Sequence, residues 1–274
     1  VMDHFRQIVQ VGREWEDFLE SWTTLAYLSA CTDTVSLGTL VTGITYRNLG
    51  HLAKIVSTLD VLSGGRAVCG LGLAWHGEEH AAYGFDFPAV PDRYELLEDA
   101  LQVLPMLWGP GSPTFKGRRI SVPEAMCYPR PLQEHVPILV GGGGERRTLR
   151  LAARYADAVN VFGSPEVLAH KVSVLHRHCE EQGRDPGEVL VTHLSTVMVG
   201  ADDRQVDEKL DRLRPSRSGR QRLASSVNAG TVDDHVGRCR QLAEAGAGEI
   251  IVRLADLDTA AAIEPMAAVI SSFR

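Results

Sequence analysis

Short apolar runs alternate with longer amphipathic stretches along most of this chain, and that alternation limits its fold more than any single motif. Apolar runs too short for buried helices read as parallel strands, and the amphipathic stretches read as helices that cover them. Six strands are expected: Val35 to Val41, Ala67 to Gly72, Pro137 to Val140, Asp157 to Phe162, Val189 to Val199 and Glu249 to Leu254. Between Asn48 and Leu62, apolar residues at Leu49, Leu52, Ile55, Val56, Leu59 and Leu62 follow helical spacing, and Ser63-Gly64-Gly65 stops the helix. Asp92 and Glu95 form a D-x-x-E start signal, with Asp92 as N-cap of a helix reaching Trp108. Further helices are expected from Glu145 to Ala156, Pro165 to Gln182, Asp202 to Leu213, Thr231 to Ala245 and Asp258 to Phe273. Residues 110–136 carry a Lys116-Gly117 turn and three prolines, and read as an inserted excursion of hairpin type. The polar stretch 214–222 reads as a mobile connection. The class is therefore α/β, in a single domain spanning 1–274. Periodicity leaves a closed barrel and an open doubly wound sheet both open, and six strands are two short of a (β/α)8 barrel.

Composition narrows the function classes. The 274 residues include 28 Lys and Arg against 35 Asp and Glu, a formal charge of −7. A nucleic-acid binder's basic footprint is missing. No apolar run approaches the ~18 residues that a membrane-spanning helix needs, and the opening VMDHFRQIVQ lacks a signal peptide's basic and apolar regions. Five scattered cysteines, none in a CxxC pair, point to a reducing, cytoplasmic setting.

Gly141 to Gly144 sit between an expected strand and an expected helix that begins Glu145-Arg146-Arg147. Amides of a glycine turn and of a first helical turn converge on an anion, and the helix dipole adds to the attraction. A tight turn needing positive φ is the plainer alternative. Four glycines exceed what such a turn requires, which favours phosphate binding, with Arg146 or Arg147 adding charge. Gly70-Leu71-Gly72 fails as a dinucleotide fingerprint because Trp75 occupies its third glycine position. What remains is a strand opening into Leu73-Ala74-Trp75-His76, the mouth of a pocket. His76 to His80 lacks the glutamate of a zinc helix and reads as a solvated turn. His176 and His178 do not face each other on a helix. Asp3-His4 suits proton handling, since His titrates near neutral pH, although a capping Asp beside a solvated His is the plainer reading of the pair alone.

Taken in order, the segments MDHF (2–5), 22–48, 58–88, DRYELLEDALQVLPMLW (92–108) and PILVGGGGERRTLRLAARYADAVNVF (137–162) resemble the luciferase-like monooxygenase superfamily. They look closest to its branch using the deazaflavin coenzyme F420. The resemblance implies a (β/α)8 TIM barrel with a flavin or deazaflavin at the C-terminal mouth of its strands. It places Asp3 and His4 beside the reactive ring, with Asp3 orienting His4. It matches Leu40-Val41 to a non-prolyl cis peptide behind that ring. Leu73, Ala74 and Trp75 would line the cofactor, and Gly141, Gly142, Gly143, Gly144 and Arg146 would hold its phosphate. Because the family starts with a strand, a helix and a second strand before the Asp-His pair, the chain is expected to lack the first strand, the first helix and most of the second strand. The implied function is hydride transfer between F420 and a small-molecule organic substrate. The alternatives are an FMN-dependent monooxygenase served by a separate flavin reductase, and an inactive flavin-binding fragment. Homodimerisation is common in the family. Loops 76–90 and 110–136, with 214–222, are expected to shape the substrate pocket.

Overall fold

The computed structural model describes residues 1–9, 11–213, 217–257 and 260–273. The chain divides into two compact units, Val1–Val159 with Leu175–Val189, and Asn160–Val174 with Leu190–Arg274.

The first unit contains α1 (Ser21–Cys31), β1 (Leu37–Gly38), β2 (Thr42–Gly43), α2 (Leu49–Ser63), β3 (Ala67–Gly72), α3 (Gly77–Tyr83), α4 (Val90–Trp108), β4 (Phe115–Lys116), β5 (Ser121–Val122), β6 (Ile138–Gly141) and α5 (Thr148–Tyr155). Strand β3 is central and parallel to all its neighbours. It pairs with β1 and β2 on one side, and with β6 on the other in the register Cys69↔Ile138 to Gly72↔Gly141. Gly43, Gly72 and Gly141 thus lie abreast at one end of the strands, where the loops that follow all emerge. Val1 donates to the Gly38 carbonyl and accepts from the Leu40 amide, which brings the first residues to the same group of strands.

Helix α2 begins at Asn48, whose side chain caps Gly50 and His51, and ends on Gly64 at a φ of 71°. Both ends are as the sequence indicates. Helix α4 starts earlier than its D-x-x-E signal: Ala89 is the N-cap and Pro91 falls in the first turn. Proline is preset for that position, so Asp92 becomes a first-turn anion, 3.4 Å from Arg119, instead of a cap. The expected strand at 35–41 divides into β1 and β2 around a cis Leu40–Val41 peptide.

Residues 110–136 hold an antiparallel β4–β5 hairpin, as expected of the insertion. Two buried carboxylates fix the segment. Asp99 accepts from the amides of Arg118, Arg119 and Ile120 at 3.0, 2.7 and 3.1 Å. Asp60 accepts from the amides of Leu132 and Gln133 at 2.7 and 3.1 Å, and from that of Ala67 at 3.2 Å. Ala67 opens β3, so the end of the insertion lies at the strand end away from Gly72. A chain about to enter parallel β6 has to return to the N-terminal side, so Leu132 and Gln133 lie away from the expected pocket.

β7 (Ala158–Val161) and α6 (Pro165–Glu181) span the unit boundaries. The second unit is built on β8 (Leu190–Gly200), followed by α7 (Asp203–Leu213), α8 (Arg217–Ser226), β9 (Ala229–Thr231), α9 (Val232–Glu244), β10 (Glu249–Leu254) and α10 (Glu264–Ser271). Strand β8 pairs in parallel with both β9 and β10. Val197 and Val199 pack with Val236 and Val269, while Met198 packs with Val206, Leu210 and Val227. Thr231 and Asp234 form a reciprocal capping box at the start of α9. Of the stretch expected to be mobile, 214–216 lie outside the described residues and 217–222 belong to α8. Asp258, the expected start of the last helix, also lies outside them.

Candidate active site

All the candidate residues lie in the first unit, and Leu73–Trp75 and Gly142–Gly144 leave their strands at the Gly43–Gly72–Gly141 edge. Ligands of parallel α/β sheets gather at that end because loops there converge and helix N-termini point toward them.

The imidazole of His4 does not turn to Asp3. Asp3 is buried and takes a two-point ion pair from Arg47, with Nη1 at 2.5 Å and Nη2 at 3.1 Å, and Arg47 also reaches Glu20 at 2.7 Å. The carboxylate that engages His4 is Glu79: its Oε2 lies 2.8 Å from His4 Nδ1. Adjacent residues on an extended chain project oppositely, so Asp3 and His4 find different partners. Glu79 is fully buried. Its Oε1 accepts from the amides of Phe5 and Arg6 at 2.7 and 3.3 Å, and the Tyr46 hydroxyl donates to Oε2. Burial pushes the Glu79 carboxyl up, but hydrogen bonds from His4, Tyr46 and the Phe5 amide outweigh it and bring it down to about 2. Burial, and then the Glu79 hydrogen bond, push the Tyr46 phenol well above its ordinary range. At working pH the group is therefore a carboxylate, which only accepts hydrogen bonds. His4 Nδ1 is the donor such an acceptor calls for, and Nε2 has no hydrogen-bond partner among the described residues.

Glu79 was not singled out from the sequence. The stretch 76–80, expected as a solvated turn, is instead the start of α3, with His76 as N-cap accepting from the Glu79 amide. His76, Glu79 and His80 are all buried. Histidine is not among the residues that commonly cap a helix, so the pattern at 76–79 gives no start signal for α3. Nothing in the spacing reveals that this glutamate faces inward. His80 binds Thr45 Oγ1 at 2.6 Å and stacks on Tyr46 with ring centroids 4.7 Å apart, which explains its burial without a metal.

Leu73, Ala74 and Trp75 leave β3 as expected. Ala74 has a φ of 60°, a conformation that costs a non-glycine residue roughly 1–2 kcal/mol. Arg93 from α4 holds it there, donating to the carbonyls of Leu73 and Ala74 at 3.2 and 2.6 Å, with its guanidinium 4.1 Å from the Phe87 ring centre. Trp75 is 55% exposed. It stacks on His76 at 4.8 Å and meets the His4 ring edge-on at 5.7 Å. An exposed aromatic plate therefore borders the imidazole.

The glycine corner lies across the same strand edge. The Val41 side chain is wedged between Gly72 and Gly141: a Cβ on Gly141 would come within 2.8 Å of it, and one on Gly72 within 2.5 Å. Leu40 and Val41 are half-buried. Gly142 has a φ of 127°, which excludes other residues. A Cβ on Gly144 would stand 2.8 Å from Thr148 Oγ1 and 3.1 Å from the Tyr94 hydroxyl. Among the described residues, no group accepts a hydrogen bond from the Gly143 or Gly144 amide. Two open donors beside a threonine–tyrosine hydroxyl pair (2.9 Å apart) fit a phosphate. The helix itself starts three residues later than expected, at Thr148, because 145–147 form a turn and the Gly144 carbonyl is taken by Leu149. Arg146 is exposed on that turn, and Arg147 lies over the Tyr94 ring at 5.2 Å.

The chain also matches a known family. The model of the luciferase-like monooxygenase family covers residues 3–269. An F420-dependent glucose-6-phosphate dehydrogenase of Microbacterium testaceum is 34% identical over 54% of this chain and 44% of its own. The pyrimidine monooxygenase RutA of Pseudomonas syringae is 33% identical over 69% of this chain and 52% of its own. The chain thus spans about half the length of the curated relatives it matches. Among solved structures, an F420-dependent secondary alcohol dehydrogenase in complex with an F420-acetone adduct superimposes with a TM-score of 0.82, at 22% identity, over 99% of this chain and 88% of its own. That likeness carries the fold, and no helix among the described residues is long and apolar enough to cross a membrane. Matched over residues 3–269 by that family's model, the chain belongs to the luciferase-like monooxygenase family.

Proposed function

We propose that the chain is an F420-dependent oxidoreductase moving a hydride between a deazaflavin and a small organic substrate on a (β/α)8 scaffold. The observation that carries the reading is the pairing of open Gly143 and Gly144 amides with an imidazole held by Glu79 on one strand edge. When bound, the deazaflavin supplies the hydride chemistry, and the protein supplies position and electrostatics. The glycine corner, with Thr148 and Tyr94, binds phosphate. Val41 and the Leu73–Trp75 loop wall the ring. His4 takes or gives the substrate's proton through Nε2, and Glu79 stabilises the imidazolium that results. Trp75 excludes water from that exchange and packs on ring or substrate.

RutA favours a second reading, an FMN-dependent monooxygenase supplied by a flavin reductase, because it matches more of this chain than the dehydrogenase does. Both cofactors carry a phosphate, so the corner serves either. Titration of F420 and of reduced FMN against the protein, followed by fluorescence, separates the two. Tighter F420 binding is expected. Preference for reduced FMN, with oxygen uptake when a reductase is added, overturns the first reading in favour of the second.

A further inference from the structure

The Glu79 carboxylate divides its two oxygens in a way that bears on how His4 works. Oε1 is committed to the main chain, through the amides of Phe5 and Arg6, so the carboxylate cannot rotate without releasing the loop that carries His4. Oε2 is shared, since His4 Nδ1 and the Tyr46 hydroxyl both donate to it. Hydrogen bonds to a common acceptor compete for its charge. We propose that Glu79 is the positioning residue that fixes the tautomer and orientation of His4, and that Tyr46, by drawing on the same oxygen, moderates the basicity of the imidazole. The consequence for catalysis rests on the reading of His4 as proton carrier given above, whereas the tautomer itself does not.

The other groups around the ring do not replace this pair. His76 lies 6.1 Å away, and its Nδ1 faces the Glu79 amide at 3.4 Å. Asp3 is engaged by Arg47. Arg6 turns its guanidinium to Glu14 and Glu78 at 3.6 and 3.9 Å. Trp75 carries no charge. Replacing Glu79 by glutamine has a specific effect. The amide oxygen can still accept from the main chain, but the NH2 group must then donate toward His4, so Nδ1 becomes an acceptor and the proton moves to Nε2. The nitrogen facing the site changes from base to donor.

Long-range proton–nitrogen NMR spectra of the whole chain test this, with the His4 signals assigned by their loss in His4→Ala. In the neutral wild type, His4 is expected as the Nδ1–H tautomer, and in Glu79→Gln as the Nε2–H tautomer. The His4 titration midpoint is expected to be lower in Glu79→Gln than in the wild type, because an opposite charge in contact is lost. It is expected to rise in Tyr46→Phe, where Oε2 of Glu79 keeps only the imidazole. In active preparations the pH profile of kcat should move with the NMR midpoint. A wild-type Nε2–H tautomer, or a Tyr46→Phe midpoint that does not rise, overturns the proposal even if Glu79→Gln fails to fold. A wild-type Nδ1–H tautomer with the expected Tyr46→Phe rise, in a protein that binds neither F420 nor FMN, supports this proposal and overturns the oxidoreductase reading instead.

Discussion

Around His4 the polar atoms answer one another through side chains, whereas at Gly141–Gly144 the chain offers bare backbone. The imidazole pocket is saturated: one buried carboxylate takes hydrogen bonds from an imidazole, a phenol and two amides. The glycine corner leaves at least two amides open and has no room for a Cβ at Gly144. The first region is suited to setting a proton's affinity, because charged and polar partners fix the protonation state. The second is suited to gripping an anion, because convergent amides attract negative charge without a counter-charge that shields them. On the proposed function, chemistry and holding fall to different parts of one strand edge.

Substitutions in each region should separate these roles. The largest effect is expected from Gly143→Asp, which places a carboxylate among the open amides and should abolish cofactor binding in a fluorescence titration. His4→Ala should lower kcat by about 10²–10⁴-fold, the usual weight of general acid–base catalysis, while leaving the cofactor Kd nearly unchanged. If both variants lose turnover alone, with equal cofactor affinity, the division of labour fails. Gly72→Ala tests the wedge between the regions. Its methyl would stand 2.5 Å from Val41 Cγ2, and such overpacking should cost about 1–3 kcal/mol, read as a lowered Tm.

A further effect is in acid. The folded Glu79 carboxyl lies at about 2 against an ordinary 4.5, so its contribution to stability is in full force above pH 4.5 and is lost as pH falls toward 2. Glu79→Gln should remove that part of the acid dependence in denaturant melts, and an unchanged slope between pH 4.5 and 2 would contradict the ion-paired carboxylate.

The glycine corner was legible in the sequence, and its partner only in part. Four glycines after an apolar run announce close backbone approach whatever surrounds them. Histidine at position 4 stood out in the sequence as a candidate for proton handling, but its partner was assigned to the residue next to it. The true partner, Glu79, comes from a helix that local pattern did not reveal. Helix α1 was missed for a related reason. Residues 21–31 are apolar nearly all round, with Tyr27 exposed and Ser21 and Ser29 buried, so no stripe marks its inner face.

Local chemistry alone determined the strands Ala67–Gly72 and Glu249–Leu254, the capped ends of α2 and α9, and the glycine turn. Each depends on residues within a few positions of one another, where backbone preference and side-chain reach are fixed by the sequence. Tertiary structure alone decided that Glu79 faces inward, that Asp3 turns to Arg47, that Arg93 props the Ala74 turn, and that Val41 fills the gap between two strand ends. Burial of a charge depends on which partners the fold brings within hydrogen-bonding distance. The hydrogen-bonded partners among these lie between 19 and 75 positions apart, beyond the range over which a sequence pattern carries information.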